Sequence, residues 1–209
     1  MTVSTFYSET SDGWIESSNA SAYATARAGG TLTLYAGDSL RIGDDFQGGT
    51  AYRCMETFLN FNTAAIPDTD VITDPVLSLY GQEDACWEVW TAQVRLRDWG
   101  DTLATGDWVP GADLSALPLL AHFDVDNRAD NFVKDAYNDF TSEAAFLTNI
   151  NKTGFTRLVI HRDGLATNTA PGAYTYIQAW DVEKGTVYRP KLVVTHTAAS
   201  TFMPRVILL

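Results

Sequence analysis

The run Thr57-Phe58-Leu59-Asn60-Phe61-Asn62-Thr63-Ala64-Ala65-Ile66-Pro67, followed by Pro75-Val76-Leu77-Ser78-Leu79-Tyr80-Gly81, constrains the fold more than any other part of the chain. Each half reads as a strand, because its apolar residues recur with the two-residue period of a pleated surface. A proline-bearing turn separates them. Neither half carries a catalytic residue. The pair therefore points to an all-β binding or structural module.

The rest of the composition agrees. A chain of 209 residues fits one β-sandwich without division into smaller units. Aromatic residues make up 12%, and such side chains suit half-buried strands. The net charge of −12 repels phosphate backbones, so nucleic acid is not an expected partner. Met1 to Tyr7 have neither a basic start nor an apolar segment, so they are not a secretory signal, and no apolar run approaches a membrane span. The expectation is a chain made and folded in a cytoplasm, able to leave the cell as part of a particle.

Cys54 and Cys86 are the only cysteines, too few for a disulfide framework. Alternation puts Cys54 in phase with Glu56 and Asn60 on an outer face. It puts Cys86 in phase with Trp90, Val94 and Leu96 on an inner one. No bridge between them is expected, and no Cys–His cluster suggests zinc.

Strands are expected at 12–17, 39–43, 52–61, 76–80, 86–98, 117–125, 156–161, 173–180 and 188–196. Residues 18–30 and 44–50 read as loop and turn. Residues 99–116, with Gly100, Gly106, Pro110 and Gly111, read as a long loop with one helical turn near Thr105. One helix is expected, capped by Thr141 or Ser142 and ended by Gly154, with Ala145, Phe146 and Ile150 on its apolar stripe. These elements fit an all-β, jelly-roll-like two-sheet β-sandwich with one short helix. The sandwich is assigned to residues 1–197, and 198–209 to a linker and apolar tail. Leu59, Phe61, Leu77, Leu79, Leu158, Ile160, Leu192 and Val194 lie on the apolar phases and should fill the space between the sheets.

The two opening runs, with Arg189-Pro190-Lys191-Leu192-Val193-Val194-Thr195, resemble the DNRLRE-type β-sandwich module, also called the disaggregatase-related repeat. That family pairs a turn ending Ile-Pro with a Leu-Ser-Leu-Tyr-like strand and closes on a Pro-Lys-Leu-Val-Val-Thr strand. Carbohydrate-binding modules share its fold. Tyr137-Asn138-Asp139-Phe140-Thr141 and Ile150-Asn151-Lys152-Thr153-Gly154-Phe155-Thr156 further resemble a subgroup found as virion proteins of tailed phages. The segment Gln82 to Trp99 departs from the family pattern. The resemblance implies a fold and no catalytic set.

His122, His161 and His196 stand at or near strand ends without a nucleophile elbow, so a non-catalytic protein is expected. Sugar binding would use exposed aromatic platforms. Trp87 and Trp99 are the exposed candidates, while Trp90 and Trp108 read as core. Asp124, Asp126 and Asn127 could hold Ca2+ through hard oxygens, with Asp44-Asp45 and Asp68-Thr69-Asp70 weaker candidates; no cofactor is required. Phe202, Met203, Val206, Ile207, Leu208 and Leu209 form an apolar tail that either docks on its own domain or reaches a neighbouring subunit. The reading is a virion structural protein of a tailed phage, in capsid decoration, tail or fibre, assembling with itself as a trimer and with other virion proteins. The alternative is an extracellular carbohydrate-binding module that holds a particle or cell to polysaccharide.

Overall fold

The computed structural model describes residues 1–37, 39–47, 50–126 and 131–199. Within them thirteen antiparallel strands form one curled, sandwich-like sheet. Two long strands organise it, and they are the two runs that open the sequence reading: β5 (Ala51–Asn62) and β6 (Asp70–Cys86).

Each long strand serves two partners along one edge. The first half of β6 pairs with β13 (Lys191–Ala198) and its last third with β12 (Thr175–Trp180). Gly81 stands where one partner gives way to the other. A Cβ there would lie 2.3 Å from the Val133 carbonyl oxygen, so only glycine admits this approach. Likewise β5 pairs first with β4 (Ser39–Gln47) and then with β11 (Phe155–Arg162), while its opposite edge carries β2 (Gly13–Asn19), which holds β3 (Thr31–Tyr35).

The path continues from β11 through β7 (Trp90–Leu96) to β8 (Leu119–Val125). The segment after it closes the curl. β9 (Tyr137–Asp139) pairs with β6, and β10 (Thr141–Ser142), one residue later, pairs with β8. At the other end β1 (Thr2–Tyr7) adds to β13.

The eight residues expected between the sheets are all fully buried in one apolar cluster. A second cluster was not legible. It lies on the other side of β5 and β11 and holds Ile15, Tyr23, Cys54, Phe58, Trp99, Trp108, Val159 and Leu165. It forms because α1 (Tyr23–Arg27) and the loop between β7 and β8 fold over that face. Cys54, Glu56 and Asn60 are therefore buried, not on an outer surface, and both cysteines are free.

Other departures have local causes. Among the described residues there are three short α-helices, not one: α1, α2 (Ala144–Asn149) and α3 (Asp163–Thr167). Residues 18–30 read as loop because they are small and polar, yet the Asn19 side chain accepts bonds from the Ser21 and Ala22 N–H groups, 3.0 Å each, just before α1. Arg27 then ties the helix end to the Ala166 carbonyl at 2.9 Å. The expected helix starts late because Thr141 and Ser142 extend to pair with β8, and it stops at Asn149 because Ile150 is extended. β1 and β3 were not foreseen. Cys86 ends β6 instead of opening the next strand. The turn near Thr105 is present as a short 3-10 segment, Thr105–Asp107. No helix among the described residues is long and apolar enough to cross a membrane.

Candidate functional site

A surface groove of about 270 Å³ lies between the β2–β3 pair and β4. Strand register builds it. Trp14 on β2 stands opposite Tyr35 on β3, so the two rings stack, with centroids 4.1 Å apart and planes 9° from parallel. The Arg41 guanidinium on β4 lies 5.3 Å from the Trp14 ring and 5.4 Å from the Tyr176 ring of β12. Trp14 is covered on both faces, while Tyr35 stays 38% exposed and offers its free face to solvent.

The charged lining residues are Glu16, Arg41 and Arg53. Glu16 and Arg53 approach to 3.8 Å. Asp45 pairs in register with Arg53 and is buried. Burial raises its carboxyl above the ordinary value, Arg53 and Arg41 oppose that, and Glu16 adds to it. Asp45 Oδ1 and Arg41 Nε are buried without a protein hydrogen bond.

The sequence candidates fare unequally. Trp87 is 71% exposed, on the turn after β6, with Val89 and Tyr174 also exposed and its backbone N–H donating to the Tyr174 carbonyl at 3.0 Å. Trp99 is a correction: it is 4% exposed and sits edge-on to Phe58 at 6.3 Å. Its loop has Gly and Asp neighbours and reads as solvent-facing, but it lies down over the second core. Trp90 and Trp108 are buried as expected.

Asp124 is exposed on β8 and accepts a 2.8 Å bond from the Thr91 hydroxyl. Asp126 uses its N–H to reach Asn131 Oδ1 at 2.9 Å, and Asn127 lies outside the described residues. Among the described residues no group of three or more His, Cys, Asp or Glu side chains is arranged to hold a metal. Asp44 and Asp45 face opposite ways. Asp44 accepts from the Tyr23 hydroxyl at 2.7 Å and from Arg162 at 3.1 Å, deep in the fold, with burial raising its carboxyl to about 6. Asp68 and Asp70 use their carbonyls to hold Lys152. The tail residues Phe202, Met203, Val206, Ile207, Leu208 and Leu209 lie outside the described residues.

The three histidines are all engaged. His122 meets Glu143 at 2.8 Å. His161 is fully buried, its Nε2 accepts from Arg95 at 3.1 Å, and burial lowers it to about 3, so it is neutral. His196 contacts Asp70 through Nδ1 at 2.7 Å and Ser4 Oγ through Nε2 at 3.0 Å.

No family model matches this chain, and no curated protein matches it. The groove was missed in the sequence because its residues come from β2, β3, β4 and β5. Only the alternation of Trp14 with Glu16 and of Ser39 with Arg41 hinted at a polar-aromatic face.

Proposed function

We propose that this chain is a sugar-binding β-sandwich module carried as a structural component of a tailed-phage virion. The groove carries the sugar-binding half of the reading. A pyranose has an apolar C–H face and a rim of hydroxyls. The free face of Tyr35 suits the first, and Arg41, Arg53 and Glu16 supply donors and acceptors for the second. Each carboxylate has an arginine beside it, which suits accepting hydroxyl bonds better than transferring a proton in glycoside cleavage. Trp87 is available as a separate aromatic contact.

A glycan array followed by calorimetry on the best hit tests this. Tyr35→Ala and Arg41→Ala should each lose retention while the melting profile keeps its cooperative shape. An array with no signal above a groove-blocked variant would sink the sugar-binding half.

The virion half rests on the DNRLRE-type resemblance and on the sheet edges. Among the described residues β1 and β3 are each bonded to one neighbouring strand, and neither TVSTFY nor TLTLY holds a charged residue. Free edges are ordinarily blunted by charge, so uncharged ones suit a protein whose edges are covered by neighbours, with a trimer the simplest assembly. The apolar tail would add to those contacts, and Ca2+ at Asp124 and Asp126 would be an accessory. Mass spectrometry of purified particles decides this half: absence of the chain from them refutes it.

A further inference from the structure

The contact among Ser4, His196 and Asp70 has an order that a simple polar plug does not need. The hydroxyl meets Nε2 at 3.0 Å and the carboxylate meets Nδ1 at 2.7 Å, so the imidazole stands between a potential nucleophile and an acid that fixes its orientation. We propose that Ser4 is an activated nucleophile that takes the acyl group from a small carboxylic ester, with His196 as its base and Asp70 as the positioning carboxylate. This does not rest on the sugar-binding reading.

Three strands bring the groups together. Thr2 pairs with His196 and Ser4 with Val194, so Ser4 and His196 are diagonal neighbours on one face of β1 and β13. His196 also pairs with Ile72, and Asp70 opens the same strand, β6. His196 is only 3% exposed, whereas Ser4 is half-buried on the outermost strand. The base is thus shielded from water while Ser4 keeps part of its surface in solvent. With the ring proton on Nδ1, donated to Asp70, Nε2 is free to accept from Ser4.

The same edge supplies a donor for the developing oxyanion. The Ser8 N–H donates to the Pro190 carbonyl at 2.9 Å, which fixes the phase of the ladder. Thr2, Ser4 and Phe6 then use their backbone groups toward β13, and the N–H groups of Val3, Thr5 and Tyr7 point to the free edge. The Thr5 N–H follows the nucleophile directly, the position that donates in nucleophile-elbow enzymes.

The chemistry balances without a cofactor. Ser4 Oγ adds to the ester carbonyl as its proton passes to His196 Nε2. The bond to the alcohol oxygen breaks as that proton moves onto the leaving alcohol, and the acyl group remains on Oγ. Water then adds to the acyl carbon and gives a proton to Nε2. Ser4 leaves with that proton, and the carboxylic acid is released. Asp70 keeps its hydrogen bond to Nδ1 throughout.

The test is covalent labelling by a fluorophosphonate probe, read by intact mass, together with release of p-nitrophenol from p-nitrophenyl acetate. The wild-type chain should gain one adduct at Ser4, and Ser4→Ala none. His196→Gln should slow labelling by at least ~100-fold, the usual worth of a positioned base. Asp70→Asn should slow it too, with Asp70→Glu recovering part of the rate, which a merely structural carboxylate would not do. Melting curves check that each variant is folded, and Asp70→Asn stands in if His196→Gln does not fold. Equal labelling of wild type and Ser4→Ala overturns the proposal. So does labelling at Ser4 that is indifferent to His196 and Asp70, which would mark an ordinary exposed serine.

Discussion

Trp99→Ala separates a packing tryptophan from a binding one. The indole is 4% exposed and packs against Phe58, with Arg157 5.8 Å from its ring. A buried tryptophan hides roughly 150–250 Å². At about 25 cal/mol per Å² the transfer term is roughly 4–6 kcal/mol. Its Nε1 has no hydrogen-bond partner, so no bond is lost with it. Measured truncations of this kind cost about 3–5 kcal/mol, and that is the expected loss. For a chain of this size each kcal/mol lowers the melting temperature by roughly 2–4 °C, so a fall of about 6–20 °C is expected by circular dichroism. Trp87→Ala is the internal control: an exposed side chain should change stability by no more than about 0.5 kcal/mol. If Trp99→Ala melts with the wild type, the second core does not depend on this ring, and the reasoning that buries Cys54, Phe58 and Trp99 together fails.

Leu77→Ala or Leu158→Ala, both fully buried inside the curled sheet, should cost about 2–5 kcal/mol in chemical denaturation; an unchanged midpoint would refute their place in the core. Asp44 titrates in the fold at about 6 against 3.8 for a free carboxyl, so the native state binds its proton more tightly. Its contribution to stability should therefore fall as pH rises from 3.8 to about 6, and the margin of wild type over Asp44→Asn should shrink across that window in melting experiments. His161 has the opposite sign: it is neutral in the fold and lowered from 6.5 to about 3, so its share of stability is lost as pH falls through that interval. His161→Gln should melt with a shallower acid dependence than wild type. Deleting residues 202–209 should leave the melting transition in place and weaken self-association by light scattering.

Alternation alone located β5, β6, β11 and β13 and named the eight residues between the sheets, because a strand with a buried face must place its apolar side chains at every second position. Strand ends were less legible. β6 begins five residues before Pro75 because β13 continues to pair with it through Ala198 and Asp70. The outer side of β5 was misread for a related reason. The sequence says that Cys54, Glu56 and Phe58 share a face, but not that α1 and the Trp99 loop will cover it. The groove and the Ser4–His196–Asp70 contact lay furthest from view. Trp14, Tyr35, Arg41 and Tyr176 meet only through strand pairing, and Ser4 and His196 stand 192 positions apart in the chain. Local pattern encodes which side chains point the same way. What lies opposite them is decided by register and closure of the sheet, and those are properties of the whole folded chain.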